Sequence, residues 1–285
     1  MLRNLRLHRV LWAVTGLLAL VAAVTGVAVP GIYAGVVAED LRPGAFSQDI
    51  ISALASAVLI ALALAGGNEP AKGQIAALGL LGYFFYAYGI YAIERAYNGF
   101  YLVYLAIFGL SFWALIAAGA SLERNLFEPD LPRNLRIVSA SGALLQPLIF
   151  YPLWIAMLVP LMISGDQIDS LYSIFILDLC FIMPAFLLLA FLTYRSHPLG
   201  LLLLPALYVL GFTLIFSLAL GELAKPMFGL EINLQSFWLS LVLSVFFAAI
   251  GTFHLLKLDL TPRPRQPASQ AASQRPPGPA PEHRR

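Results

Sequence analysis

Charge is what this sequence has least of. Only 11% of its 285 residues are Asp, Glu, Lys or Arg, where roughly 25% is usual in a soluble domain. A chain so poor in charge cannot clothe a globular surface in water, which excludes a soluble fold. The same poverty excludes disorder for most of its length, because a disordered chain needs the opposite balance. Cysteine is nearly absent as well. Cys180 stands alone, so no intrachain disulfide can form, and no Cys/His cluster offers a structural zinc site. A single cysteine in an apolar run reads as a small buried hydrophobe. No Asn-x-Ser/Thr acceptor occurs. Lys plus Arg total 17 against 15 Asp plus Glu, and a net charge of +2 offers no basic surface for nucleic acid. Catalytic signatures are missing too: there is no Gly-x-Ser-x-Gly elbow, no His-Glu-x-x-His pair and no Gly-rich phosphate loop. His8, His197, His254 and His283 fall at or beyond the ends of the apolar runs, no two in one run, which argues against a haem held between helices. No cofactor is expected.

What the chain has is hydrophobic length: 60% of its residues are apolar. A helix crossing the ~30 Å hydrocarbon layer needs about 20 such residues. Eight runs qualify: Val10–Val29, Ile50–Ala65, Ile75–Ile93, Phe100–Ala120, Ile137–Ile163, Leu171–Tyr194, Leu199–Leu220 and Phe237–Leu256. The second is short at 16 residues and the fifth long at 27. All are continuous rather than alternating, which favours helices over barrel strands. The expected fold is therefore an all-α polytopic membrane bundle of eight transmembrane helices spanning residues 1–258. Arg3, Arg6 and Arg9 ahead of the first run also describe a signal peptide. Signal h-regions run to only about 7–15 residues and Gly26-Val27-Ala28 is a weak cleavage site, so the helix is expected to be retained.

Positive residues stay cytoplasmic. With eight spans, all 17 Lys and Arg except Arg42, Arg95 and Lys225 fall on the side of the termini. Both termini are thus expected in the cytoplasm. Glu39, Asp40, Asp49, Glu94, Asp166, Asp169, Glu222 and Glu231 then lie toward the other side. Residues 259–285 change character, with seven prolines among Ser, Gln, Ala and Arg. That composition reads as a disordered basic tail, either plainly solvated or docking a protein or anionic lipid. No loop exceeds about 16 residues, so any activity must reside in the bundle. Spans five to seven contain Pro147, Pro152, Pro160, Pro184 and Pro205, while spans two to four contain none. Each proline frees a carbonyl, as in the broken helices of transporters, although the two halves show no matching breaks.

Asp178 is the single ionisable residue read inside a span, roughly 10 Å in from Leu171 at 1.5 Å per residue. A carboxylate there is costly and needs a partner, as a proton or cation site or as an interhelical clamp. Tyr83, Tyr86, Tyr88 and Tyr91 lead to Glu94-Arg95, and Tyr97, Tyr101 and Tyr104 follow. Tyr88, Tyr91 and Arg95 share one helix face. They form either an interfacial belt or the lining of an outward-facing polar cavity. Gln146, beside Pro147, is a further candidate for that lining. The expected pocket is thus Asp178, Arg95, Glu94, Tyr86, Tyr88, Tyr91 and Gln146, with Asp178 meeting the tyrosine face of the third helix and no metal or catalytic residue.

The run Tyr83-Phe84-Phe85-Tyr86-x-Tyr88, with Asn98-Gly99-Phe100-Tyr101-Leu102-x-Tyr104, resembles uncharacterised bacterial multi-pass inner-membrane proteins. The resemblance covers about a tenth of the chain, implies a bacterial inner membrane and carries no assigned activity. The leading functional reading is a transporter-like or ligand-sensing module with an outward-facing polar pocket. The competing class is a structural or assembly protein without a ligand, and an intramembrane enzyme trails both. Reporter fusions after Arg136 and at the C-terminus are expected to read cytoplasmic, and one within 164–170 external. An external C-terminus contradicts the eight-span topology.

Overall fold

A computed structural model describes residues 2–65, 71–122 and 127–262. Among these, the chain is helical apart from one short ribbon. The helices are α1 (Leu5–Ala28), α2 (Arg42–Leu64), α3 (Ala71–Ile93), α4 (Tyr101–Ser121), α5 (Arg133–Ser164), α6 (Tyr172–Leu177), α7 (Met183–Tyr194), α8 (Pro198–Ala224) and α9 (Leu234–Lys257). A π-helical turn, Asp178–Ile182, joins α6 to α7. Counted with that turn as one, eight helices are long and apolar enough to cross a membrane. The runs read from hydropathy locate all eight.

The largest boundary difference is at α2. Its helix begins at Arg42, with Pro43 in the first turn, where proline's missing N–H costs nothing. The polar stretch Ser47-Gln48-Asp49 is therefore helix, and all three residues are buried. Asp178 is thus not alone inside a span; Asp49 is a second. The break between α6 and α7 follows from Pro184. Proline has no N–H to give the carbonyl of Cys180, and just before it the Met183 N–H reaches back five residues to the Asp178 carbonyl. Cys180 itself is exposed rather than buried.

Position in the bundle follows from sequence composition. In α3, 89% of the residues in the apolar stretch are buried, against 6% in α5. The third helix is therefore the axis, packed on α4 and α8, while α1, α2 and α4 close one side. On the other side α8 carries α7 and α9, and α5 lies outside against α7 and α9. Two apolar clusters result, one built mainly from α1–α4 with Leu201, Leu202 and Ala206 of α8, and one joining α3 to α7, α8 and α9. Close approach of α3 to α8 depends on Gly79, where a Cβ would lie 2.6 Å from both the Ala206 carbonyl oxygen and Val209 Cβ.

At the end of the bundle holding residue 2 and the last described residues, β1 (Phe127–Asp130) pairs antiparallel with β2 (Asp259–Pro262). The start of the stretch expected to be disordered is thus a strand. The rest of that expectation, from 263 onward, lies outside the described residues. Arg3 N–H donates to the Ser121 carbonyl at 2.9 Å and His8 Nε2 meets Ser121 Oγ at 2.6 Å. His254 bridges Ser139 Oγ at 2.7 Å and the Leu201 carbonyl at 2.9 Å, tying α9 to α5 and α8. We call this the near end and the opposite one the far end.

Gly79→Ala is expected to lower unfolding stability by about 1–3 kcal/mol through overpacking. Gly109→Ala, where nothing lies within 4 Å of an added Cβ, is expected to be neutral or stabilising by up to about 1 kcal/mol. Thermal unfolding of the two variants side by side checks the pair; equal losses contradict the packing of α3 on α8.

Candidate functional site

Three features toward the far end carry polar chemistry: Asp49 among tyrosines, Asp178 beside Trp154, and an open groove between α5, α8 and α9.

Asp49 lies seven residues into α2, roughly 10 Å from its start, and is 1% exposed. The hydroxyl of Tyr33, on the turn between α1 and α2, donates to Asp49 Oδ2 at 2.5 Å. Gly26 makes this contact possible, since a Cβ there would fall 1.8 Å from that oxygen and 2.8 Å from the Tyr33 hydroxyl. Burial, followed by the neighbouring Tyr91 and Asp49, pushes the Tyr33 phenol far above its usual range. Tyr33 therefore stays a neutral O–H donor. Its ring stacks on Tyr91 at 5.6 Å, and Tyr91 lies 4.8 Å from Tyr104 and 6.1 Å from Tyr88.

The remaining hydroxyls bind backbone or each other. Tyr83 donates to the Gln48 carbonyl at 3.0 Å and lies 2.9 Å from Ser52 Oγ. Tyr88 donates to the Ala19 carbonyl at 3.1 Å, and Tyr91 reaches the Ala45 carbonyl at 3.4 Å. Asn98 Nδ2 donates to the Tyr104 hydroxyl at 3.2 Å. No Lys or Arg pairs with Asp49 among the described residues. The tyrosine face of α3 thus serves Asp49, which sequence reading had placed outside the spans. The available signal was spacing: Asp49, Ser52 and Ser56 recur at i, i+3 and i+7, one face of a helix, and all are buried.

Asp178 is 4% exposed and begins the π turn. Trp154 Nε1 on α5 donates to its Oδ2 at 2.7 Å, and Tyr86 supplies a second side-chain hydrogen bond. Of the expected partners only Tyr86, from the adjoining face of α3, reaches it. Tyr88 and Tyr91 point to the other side of α3, toward Asp49. The other candidates do not converge either. Arg95, with φ 57° just after α3 ends, is exposed, and its Nε donates to the Tyr172 hydroxyl at 3.2 Å. That hydroxyl in turn donates to the Ile93 carbonyl at 2.7 Å. Glu94 Oε1 accepts from the Ser173 backbone N–H at 2.8 Å and from its hydroxyl at 2.5 Å. A carboxylate so placed satisfies and charge-compensates the first turn of α6. Glu94 and Arg95 therefore latch the end of α3 to the start of α6. Gln146 is buried, with Oε1 unpartnered among the described residues. These side chains are scattered over the bundle and line no common pocket.

An open groove exists elsewhere. A groove of about 640 Å³ opens at the far end between the start of α2, α5, the end of α8 and the start of α9. Its walls are apolar, including Ile149, Phe150, Ile215, Leu218, Leu239 and Leu243, and Asp40, Glu222, Lys225 and Glu231 stand among the residues around it. On α5, which supplies Ile149 and Phe150 to the groove, the stretch from Leu148 to Ile163 is largely exposed. Among the described residues, no group of three His, Cys, Asp or Glu could hold a metal ion. Comparison with protein-family models, with curated proteins and with solved structures returns no match.

Tyr33→Phe leaves Asp49 without its donor, and is expected to destabilise the bundle by about 1–3 kcal/mol. Asp49→Asn keeps an oxygen that accepts the Tyr33 hydrogen bond, and is expected to cost less. Chemical unfolding of both variants checks the order; a costlier Asp49→Asn contradicts a neutral Tyr33 donor.

Proposed function

We propose that this chain is a multi-pass membrane protein of transporter-like character that binds and releases a proton at Asp49. In this reading the near end is cytoplasmic and the far end external. The distribution of basic residues supports that orientation, since of the described Lys and Arg only Arg42, Arg95 and Lys225 lie at the far end. Bacterial inner-membrane residence follows from the aromatic resemblance noted above.

The observation that carries the reading is a carboxyl group 1% exposed and held by a neutral phenol with no cationic partner among the described residues. A charged carboxylate at membrane depth costs about 2.5–3.5 kcal/mol or more. A group that served only to join helices would do so at lower cost as an amide. A carboxyl differs from an amide in one respect, the ability to take up and release a proton. The surroundings allow both states. When ionised, Asp49 accepts from Tyr33. When protonated, it becomes a donor, the hydrogen bond reverses, and the phenolic proton of Tyr33 must turn to another acceptor. Tyr33 and Asn98 both lie on far-end turns, where Asn98 Nδ2 donates to the Ile32 carbonyl at 3.4 Å and to the Tyr104 hydroxyl at 3.2 Å. Tyr33 is thus the group through which protonation of Asp49 can move the turn connecting α1 and α2. Asp178, held by Trp154 and Tyr86, is a second group of the same kind, and ties the exposed α5 to α6.

A structural or assembly role is the competing reading, favoured by how many tyrosine hydroxyls are spent on neighbouring backbone carbonyls. Proton flux separates the two. Proteoliposomes of the full chain are expected to dissipate an imposed pH gradient faster than protein-free vesicles, and Asp49→Asn to slow this at least tenfold. Wild-type flux at the protein-free rate, or an unaffected Asp49→Asn, favours the structural role.

A further inference from the structure

The groove at the far end has the chemistry of a binding site, independent of what Asp49 does. Its apolar walls run from Lys225, just past the end of α8, and from the start of α9 at Leu234 down to Ile215 and Leu243. Each lies nine or ten residues along its helix, roughly 14 Å at 1.5 Å per residue. Ser236 and Ser240 on α9 are the polar side chains along that depth, and the rest of the wall, from Ile149 and Phe150 to Leu239 and Leu243, offers contact to a hydrocarbon or aromatic tail. The rim is of the opposite character. Glu222 is occupied, its carboxylate taking Lys225 Nζ at 2.8 Å and the Asn233 backbone N–H at 2.9 Å. Asp40 and Glu231 are both exposed, and neither has an ion-pair partner among the described residues. With Lys225 matched by Glu222, the mouth carries two uncompensated negative charges above an apolar slot. That arrangement repels anionic headgroups and attracts a cation, and the field is strongest where the low-dielectric wall begins.

We propose that this groove binds a lipophilic cation: an amphiphile whose apolar body lies against Phe150, Ile215 and Leu239 and whose positive charge sits between Asp40 and Glu231. Charge complementarity selects this occupant over the bulk lipids of the bilayer, which can fill the slot but gain nothing from the rim.

Equilibrium binding of radiolabelled tetraphenylphosphonium to the full chain in nanodiscs of zwitterionic lipid tests this directly. Tetraphenylborate, of the same shape and opposite charge, serves as the competitor. Wild-type protein is expected to bind the cation saturably and to be indifferent to the anion. The double variant Asp40→Asn/Glu231→Gln, altered only at exposed positions, is expected to bind at least tenfold more weakly. Leu239→Trp, which narrows the slot from an exposed face of α9, is expected to weaken binding further, with unfolding temperature as the control for both variants. Absence of saturable binding, equal competition by the anion, or unchanged affinity in the double variant overturns the proposal. Asp49→Asn is expected to leave affinity unchanged, so failure here and failure of the proton reading are separate results.

Discussion

The hydrogen bond from Tyr33 to Asp49 is the contact around which one half of the bundle is arranged. An interior this apolar gives a carboxylate no water, so its partners must come from neighbouring helices. Gly26 on α1 makes room for the carboxylate, and α2 carries it on the face continued by Ser52 and Ser56. The α3 tyrosines surround it and spend their own hydroxyls on α1 and α2 carbonyls. The burial of α3 is the consequence. A helix offering phenols toward Asp49 on one face and Tyr86 toward Asp178 on the other has no face left for lipid.

The two carboxyls divide the molecule. Asp49 belongs to the close-packed set α1 to α4, whereas Asp178 joins α3 to the looser group of α5, α6 and α7. Trp154 is the polar tie of the exposed α5 to that group, and it meets Asp178 where Pro184 has widened the helix. Rigid packing on one side and a splayed helix on the other are what a protein needs to hold a protonation site firm while keeping a groove open.

Much of this architecture was legible in the sequence. Eight hydrophobic runs give eight helices because nothing but length and apolarity is needed to define them. Asp178 was legible as a buried acid in need of donors for the same reason. Asp49 was not, because Arg42, Pro43, Ser47 and Gln48 lower the local hydropathy and read as a loop. Proline at a helix start and polar residues at i, i+3 and i+7 mark a helix with a polar inner face, a signal that hydropathy averages away. Of the tyrosines expected to meet Asp178 only Tyr86 does so, while Tyr88 and Tyr91 lie on another face, since depth along α3 was known and rotation about its axis was not. Glu94 and Arg95 illustrate a further limit. The chain turns sharply after Ile93, so Arg95 ends exposed against the Tyr172 hydroxyl while Glu94, part-buried, caps α6 through Ser173. The groove had no local signature, because its walls come from four separate stretches of chain.

The central claim is that Asp49 exchanges a proton within its tyrosine cage, and infrared difference spectroscopy of the full chain in membranes reads that group directly. The account predicts a carboxylic-acid carbonyl band that is lost as pH rises, is absent from Asp49→Asn, and is shifted in Tyr33→Phe. Asp178→Asn should leave this band in place. A wild-type spectrum identical to that of Asp49→Asn at every pH would contradict the account.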